Sequence, residues 1–177
     1  MGINNIWVIS DTHFNHKAIL TFKDYAGKPP RGGFDNVDQM NECMMDNWAA
    51  VVKPNDTIYH LGDVLFGQNK PGWLEDNFTK LPGKKKLILG NHDNPKFLAP
   101  FFKEIMLWKD MSDIGLLLSH TPQHASTLAE SHRFGTNPVL NVHGHIHSNP
   151  SPEGPYKCVC VEQTDYKPVN VEDLLNA

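Results

Sequence analysis

Short apolar runs that each end in a polar loop recur along this chain. Ile6 to Ser10 (IWVIS) reads as a buried strand handing over to Asp11. Thr57 to Leu61 reads as a second strand before Gly62-Asp63, and Lys86 to Leu89 as a third before Gly90-Asn91-His92-Asp93. Between the first two, Val37, Met40, Met44, Trp48 and Val51 fall at steps of three and four, the stripe of an amphipathic helix over Val37 to Val52. Pro54 and Asn55 end it.

Further on, a short helix is expected around Trp73 to Leu81, and another from Pro95 through Phe102, with Pro95 at its start. Ile105 to Lys109 and Gly115 to Leu118 read as strands paired around a Ser112-Asp113 turn. Val139 to Val142 and Tyr156 to Val161 read as late strands joined by SNPSPEGP. Asn170 is placed to cap a last helix in NVEDLLNA, with Asp173 three residues on. Strand and helix alternate early and strands cluster late, which argues for a layered α/β fold.

The 177 residues suit a single domain, 1–177, with one sizeable core. Hydrophobic content of 40% and charged content of 20% are those of a soluble globular protein. A formal net charge of −4 gives no global sign of a nucleic-acid or membrane partner. No apolar run approaches membrane-span length. Cys43 stands alone, and Cys158 and Cys160 share one face of a strand-like YKCVCVE as small buried hydrophobes. With no second cysteine pair to complete a zinc site and no signal-peptide pattern, a reducing, cytoplasmic setting is expected.

Ten histidines are many for this length, and their positions carry the chemistry. Asp11 and His13 lie in SDTHFNH, Asp63 in LGDV, Asn91 in GNHD, His120 in LLLSH, and His145 and His147 in HGHIH. Each cluster follows a strand-like run, and open α/β sheets gather their sites at the carboxyl ends of strands. Asp11 and His13, at i and i+2 of an extended segment, would point the same way. Gly62 would let the backbone come close to Asp63, whose two oxygens suit a bridge between ions. Together the clusters supply nitrogen and oxygen ligands for two divalent ions, an arrangement suited to in-line displacement at phosphorus. His92, beside Asn91, is the candidate catalytic acid or phosphate partner. His143 reads as a structural neighbour, and His60 as core or as a support to the cluster.

The order D-x-H, G-D, G-N-H-D, S-H, G-H-x-H resembles the calcineurin-like metallophosphoesterase superfamily over Asp11 to His147. SDTHFNH, DTIYHLGDV and TDYKPVNVEDL are similar to its compact bacterial and phage branch. That resemblance implies a four-layer α/β/β/α sandwich, two mixed sheets flanked by helices. It implies that Asp11, His13 and His147 hold one ion and Asn91, His120 and His145 the other, with Asp63 bridging and His92 catalytic. The metals it implies are Mn, Fe, Zn or Ni, with a bridging water acting as hydroxide. Family phosphoprotein phosphatases carry G-D-x-x-D-R-G, whereas Gly62 to Gln68 here lacks that Arg and second Asp.

The expected function is therefore a dinuclear metal-dependent phosphoesterase, favoured as a phosphodiesterase on nucleotide-type substrates. A phosphomonoesterase, a nuclease and a non-catalytic metal-binding module are the alternatives. With all eight positions filled, the enzyme is favoured over the module. Substrate contacts are sought at Asn15, His16 and Arg133, on the Ala26 to Phe34 stretch with Lys28 and Arg31 as a rim, and on the segment holding His124 and His132. Lys84-Lys85-Lys86 reads as a solvated sheet edge.

Overall fold

The computed structural model describes residues 5–24, 26–67, 72–128 and 139–176. Their strands form two sheets. β1 (Ile6–Ile9), β2 (Thr57–His60), β3 (Lys84–Ile88) and β4 (Glu104–Met106) run parallel. β9 (Val169–Asn170) closes the other edge antiparallel to β1, giving the order β4-β3-β2-β1-β9. The second sheet has the order β5-β6-β7-β8, from Trp108–Met111, Leu116–Ser119, Leu140–His143 and Tyr156–Cys158. Only its β5–β6 pair is antiparallel. Both sheets are mixed, as the resemblance implies.

Alternation along the strands sorts side chains into two cores. Val8, Tyr59, Leu61 and Ile88 face Leu116, Leu118, Val142 and Val159 between the sheets. Ile9, Ile58 and Leu87 point the other way, onto Met40, Met44 and Trp48 of α1 (Val37–Val51) and onto Phe78. Each fully buried side chain of this size contributes about 1.5–3 kcal/mol. The stripe of α1 is thus a packing stripe. Its N-cap, Asn36, accepts from Gln39 N at 2.9 Å, and Val52 leaves in an extended conformation.

The other expected helices are shorter than their sequence patterns. α2 (Gly72–Asp76) gives way to a 3₁₀ turn at Phe78–Lys80. α3 (Pro95–Leu98) does the same at Ala99–Phe101, where Pro100 interrupts the helical bonding. α4 is Ala125–Leu128, and α5 (Val171–Leu175) starts at Asn170, which accepts from Glu172 N as expected of a cap. Ile105 and Met106 belong to the first sheet and Trp108 to the second, so the chain changes sheet at Leu107 within one expected strand.

Lys84, Lys85 and Lys86 do not form a sheet edge but lie on β3, inside the first sheet. Lys85 is buried, with Nζ donating to Leu81 O and lying 5.5 Å from the Phe78 ring centre. Lys86 pairs with Glu104 at 2.9 Å. Their stems pack while their charges are met locally. Among the described residues, no helix is long and apolar enough to cross a membrane.

Candidate metal centre

The parallel strands β1, β2 and β3, and β6 and β7 of the second sheet, end in loops that meet. Asp11 N donates to Gly62 O, and His13 N to Asp63 O, both at 3.0 Å. Gly144 N donates to His120 O at 2.8 Å, and Ser10 forms a parallel bridge with Cys160 that ties the sheets together. Asp11 and His13 are not on an extended segment as expected. They have φ of 56° and 44°, and Asp63, His145 and His147 also take the left-handed region. Non-glycine residues there cost of order 1–3 kcal/mol each, and they concentrate where a site over-determines them.

These turns bring the sequence candidates together. His13 Nε2 and His147 Nε2 each lie 3.8 Å from Asp11 Oδ1. His13 Nε2 is 3.5 Å and His120 Nε2 3.7 Å from Asp63 Oδ2. Asn91 Oδ1 lies 2.9 Å from His120 Nε2 and 3.0 Å from His145 Nδ1. Asp11, His13 and His147 offer ligand atoms within one ion's reach, and Asp11, Asp63 and His120 do so again beside them. Asp11 Oδ1 and His13 Nε2 are buried without a hydrogen-bond partner in the protein. Such groups cost about 1–3 kcal/mol each when unsatisfied. A cation between them removes that cost, so the donor set fits a metal.

Burial, aided by the Arg31 charge, pushes His13 down to about 2, which keeps its imidazole neutral and its lone pair free for an ion. Burial also lowers His145 and raises Asp63. At His147 burial acts downward, but the hydrogen bond and charge of Glu162 outweigh it and raise the ring above its ordinary value.

Several supports were not legible beforehand. Arg31 is fully buried and forms no rim. Its Nη2 donates to Asp11 O at 2.5 Å and its Nη1 to Thr12 O at 2.8 Å. The same guanidinium pairs with Glu162 at 2.7 Å. Asp93 Oδ2 accepts from Asp63 N and Gly90 N, and Oδ1 from Val64 N, which locks the two glycine loops. Asp11 Oδ2 accepts from Ser10 Oγ, His145 N and Cys160 Sγ, which leaves Oδ1 for the cluster.

Close backbone approach explains two glycines. A Cβ on Gly144 would overlap Ser10 Oγ and Asp11 Oδ2, so the approach of this loop to Asp11 requires glycine. Gly62, at φ +101°, would drive a Cβ to 2.5 Å from Gly90 N.

Other candidates fall outside the cluster. His60 is buried in a 2.9 Å bond with Thr12 Oγ1, and His143 bonds Gly144 O and Ser151 Oγ. Asn15 exchanges hydrogen bonds with Asn41 of α1 and anchors its loop. His16 lies beside the cluster, its ring 5.6 Å from that of His13. His124 is exposed and bonded to Ser126. Arg133 and His132 lie outside the described residues.

Residues 5–154 match the family model for calcineurin-like phosphoesterases. Uncharacterized protein MJ1445 of Methanocaldococcus jannaschii is 32% identical, over 97% of this chain and 90% of that protein. The Gene 66 protein of Mycobacterium phage L5 is 29% identical, over 82% of this chain and 79% of its own length. The crystal structure of AQ665, a protein of unknown function from Aquifex aeolicus, superposes with a TM-score of 0.64 at 29% identity, covering 96% of each chain.

Proposed function

The chain belongs to the calcineurin-like phosphoesterase family, and from that premise we propose that it is a two-metal phosphodiesterase acting on nucleotide-type esters. Metal-dependent hydrolysis of phosphate esters is the activity of the family. The observation that carries the finer reading is the commitment of Arg31, the one arginine among the described residues. The other, Arg133, lies outside the described residues. Arg31 is buried and committed to Asp11 O, Thr12 O and Glu162. Val64-Leu65-Phe66-Gly67 after Asp63 offers no cation either. A monoester brings a dianion that a guanidinium fork would clamp, whereas a diester brings one charge. Among the described residues no guanidinium is free to clamp a dianion, and the site suits the smaller charge.

In this reading Asp11, His13 and His147 would hold one divalent cation, Asn91, His120 and His145 a second, and Asp63 would stand between them. When bound, two such ions neutralise phosphate oxygens and lower the pKa of water at the site. A ligand set of nitrogen and oxygen suits Mn, Fe, Zn or Ni. His92 lines the same cavity as His13 and His147, with its ring 5.7 Å from that of His13. Its backbone N donates to Asp63 Oδ1 at 2.9 Å, which fixes it against the Asp63 carboxylate. From there it delivers a proton to the leaving oxygen. Residues 1–177 act as one domain, and three free thiols fit a reducing cytoplasm.

The test is hydrolysis of bis-p-nitrophenyl phosphate against p-nitrophenyl phosphate, with each metal in turn. Preference for the diester is expected. Efficient release of phosphate from monoesters or phosphopeptides, with no activity on any diester, overturns the reading.

A further inference from the structure

Beside the metal cluster lies a cavity of about 460 Å³. It is lined by His13, His92 and His147 of the site and by His16, Ile19, Phe22 and Phe66. The rings of His16 and Phe66 are parallel, 4.2 Å apart and 8° from coplanar. Phe22 meets His16 edge-on at 5.4 Å. Phe66 is 55% and Phe22 51% exposed, large apolar side chains left open at the cavity mouth. Scattered exposed aromatics need no explanation, but two of them bracketing a stacked ring beside a candidate active site do.

The platform is held by backbone. Phe66 N donates to Phe14 O at 2.9 Å, and Phe14 and Leu65 form a parallel bridge. His16 N donates to His13 O at 3.1 Å, so the loop that presents the cluster also presents the stack. Pre-formed rings lose little freedom when a ligand arrives.

We propose that His16, Phe66 and Phe22 form a subsite for the nucleobase of the substrate, a reading that rests on the phosphodiesterase function above. A planar base has two π-faces to lay on such rings, and stacking of this kind tolerates any base. The offset matters as well. His16 stands one ring beyond His13, so the platform is separated from the cluster by a spacer of about sugar size. Lys23, Asp24, Ser148 and Asn149 share the cavity wall and supply polar partners for base edges. A lipid chain would find these polar groups in its way.

Two esters with one leaving group test the idea: thymidine 5′-(p-nitrophenyl phosphate) and methyl p-nitrophenyl phosphate, on the Mn-loaded full chain. The thymidyl ester should be preferred in kcat/KM. Phe66→Leu keeps apolar bulk but removes the π-face, and should cut that preference about tenfold. Phe66→Tyr should restore it. Circular dichroism melts establish that the variants fold. An equal fall for both esters places the nitrophenyl group on the platform and overturns the assignment. If the protein cleaves neither ester with Mn, Fe, Zn or Ni, the phosphodiesterase reading fails, and calorimetric titration still decides the subsite. Thymidine 5′-phosphate should then bind more tightly than ribose 5-phosphate, and Phe66→Leu should erase the difference. Equal binding of the two ligands by the unmodified protein overturns the subsite.

Discussion

Glu162 Oε1 accepts the Nδ1–H of His147 at 2.8 Å, and so turns Nε2 of that ring toward Asp11. The same oxygen takes the Arg31 guanidinium. Burial acts to raise Glu162, but the hydrogen bond from His147 and the charge of Arg31 hold it below the ordinary carboxylate range. A carboxylate behind a ligating histidine fixes its tautomer and raises its basicity. Glu162→Gln keeps the shape and removes the charge. Metal affinity at the His147 position should fall about 10–100-fold. The melting temperature should fall too, because Arg31 loses its buried counter-ion. Unchanged metal affinity in a calorimetric titration would remove Glu162 from this role.

Gly144 rests against the Asp11 carboxylate with no room for a side chain. Gly144→Ala must push Ser10 and Asp11 aside, and overpacking of this kind costs about 1–3 kcal/mol. Both lower stability and weaker metal retention are expected. Gly33→Ala is the control, since its Cβ would meet nothing within 4 Å. Thermal melts of the two variants that coincide would show the contact to be compliant.

Residue order made much of this site legible. Asp11, His13, Asp63, Asn91, His120, His145 and His147 each follow an apolar run, and the parallel strands bring those run ends together. The direction of their backbone was not legible. Asp11 and His13 look like alternating positions of a strand, yet the chain leaves β1 at Ile9 and turns through left-handed residues. Hydrogen bonds to the carbonyls of Gly62 and Asp63 hold that path, and they span half a hundred residues. Arg31 sits in a Gly- and Pro-rich stretch that reads as exposed rim, and only tertiary burial reveals it as a strut. Glu162 lies after the last motif, and a lone glutamate carries no local mark of its partner. Lys84 to Lys86 read as an edge for the same reason, because position within a sheet is a property of topology and not of a tripeptide.

Two clusters that share the Asp11 carboxylate lead to a count of metal ions. The chelated protein, reconstituted with excess Mn or Zn, should hold about two ions per chain by elemental analysis. Its melting temperature should rise with metal concentration, because an ion that binds only the folded chain stabilises it by mass action. Asp63→Asn should weaken both positions together, since Asp63 Oδ2 lies 3.5 Å from His13 and 3.7 Å from His120. A stoichiometry fixed at one ion under saturating metal contradicts the two-metal assignment.

His92 separates rate from metal binding. Its neighbour Asn91 turns Oδ1 toward His120 and His145, while the His92 ring lines the cavity beside the cluster, 5.7 Å from the His13 ring. His92→Ala should therefore keep the metal content and the fold. Its turnover of a diester with a poor leaving group should fall by about two to four orders of magnitude, the usual worth of a positioned acid. For p-nitrophenolate the loss should be smaller, because that leaving group departs without a proton. Comparing the two losses distinguishes proton donation from simple positioning of the phosphate, which predicts equal losses. If His92→Ala instead lost metal in elemental analysis, the ring would be a ligand, and the division of labour between Asn91 and His92 would have to be redrawn.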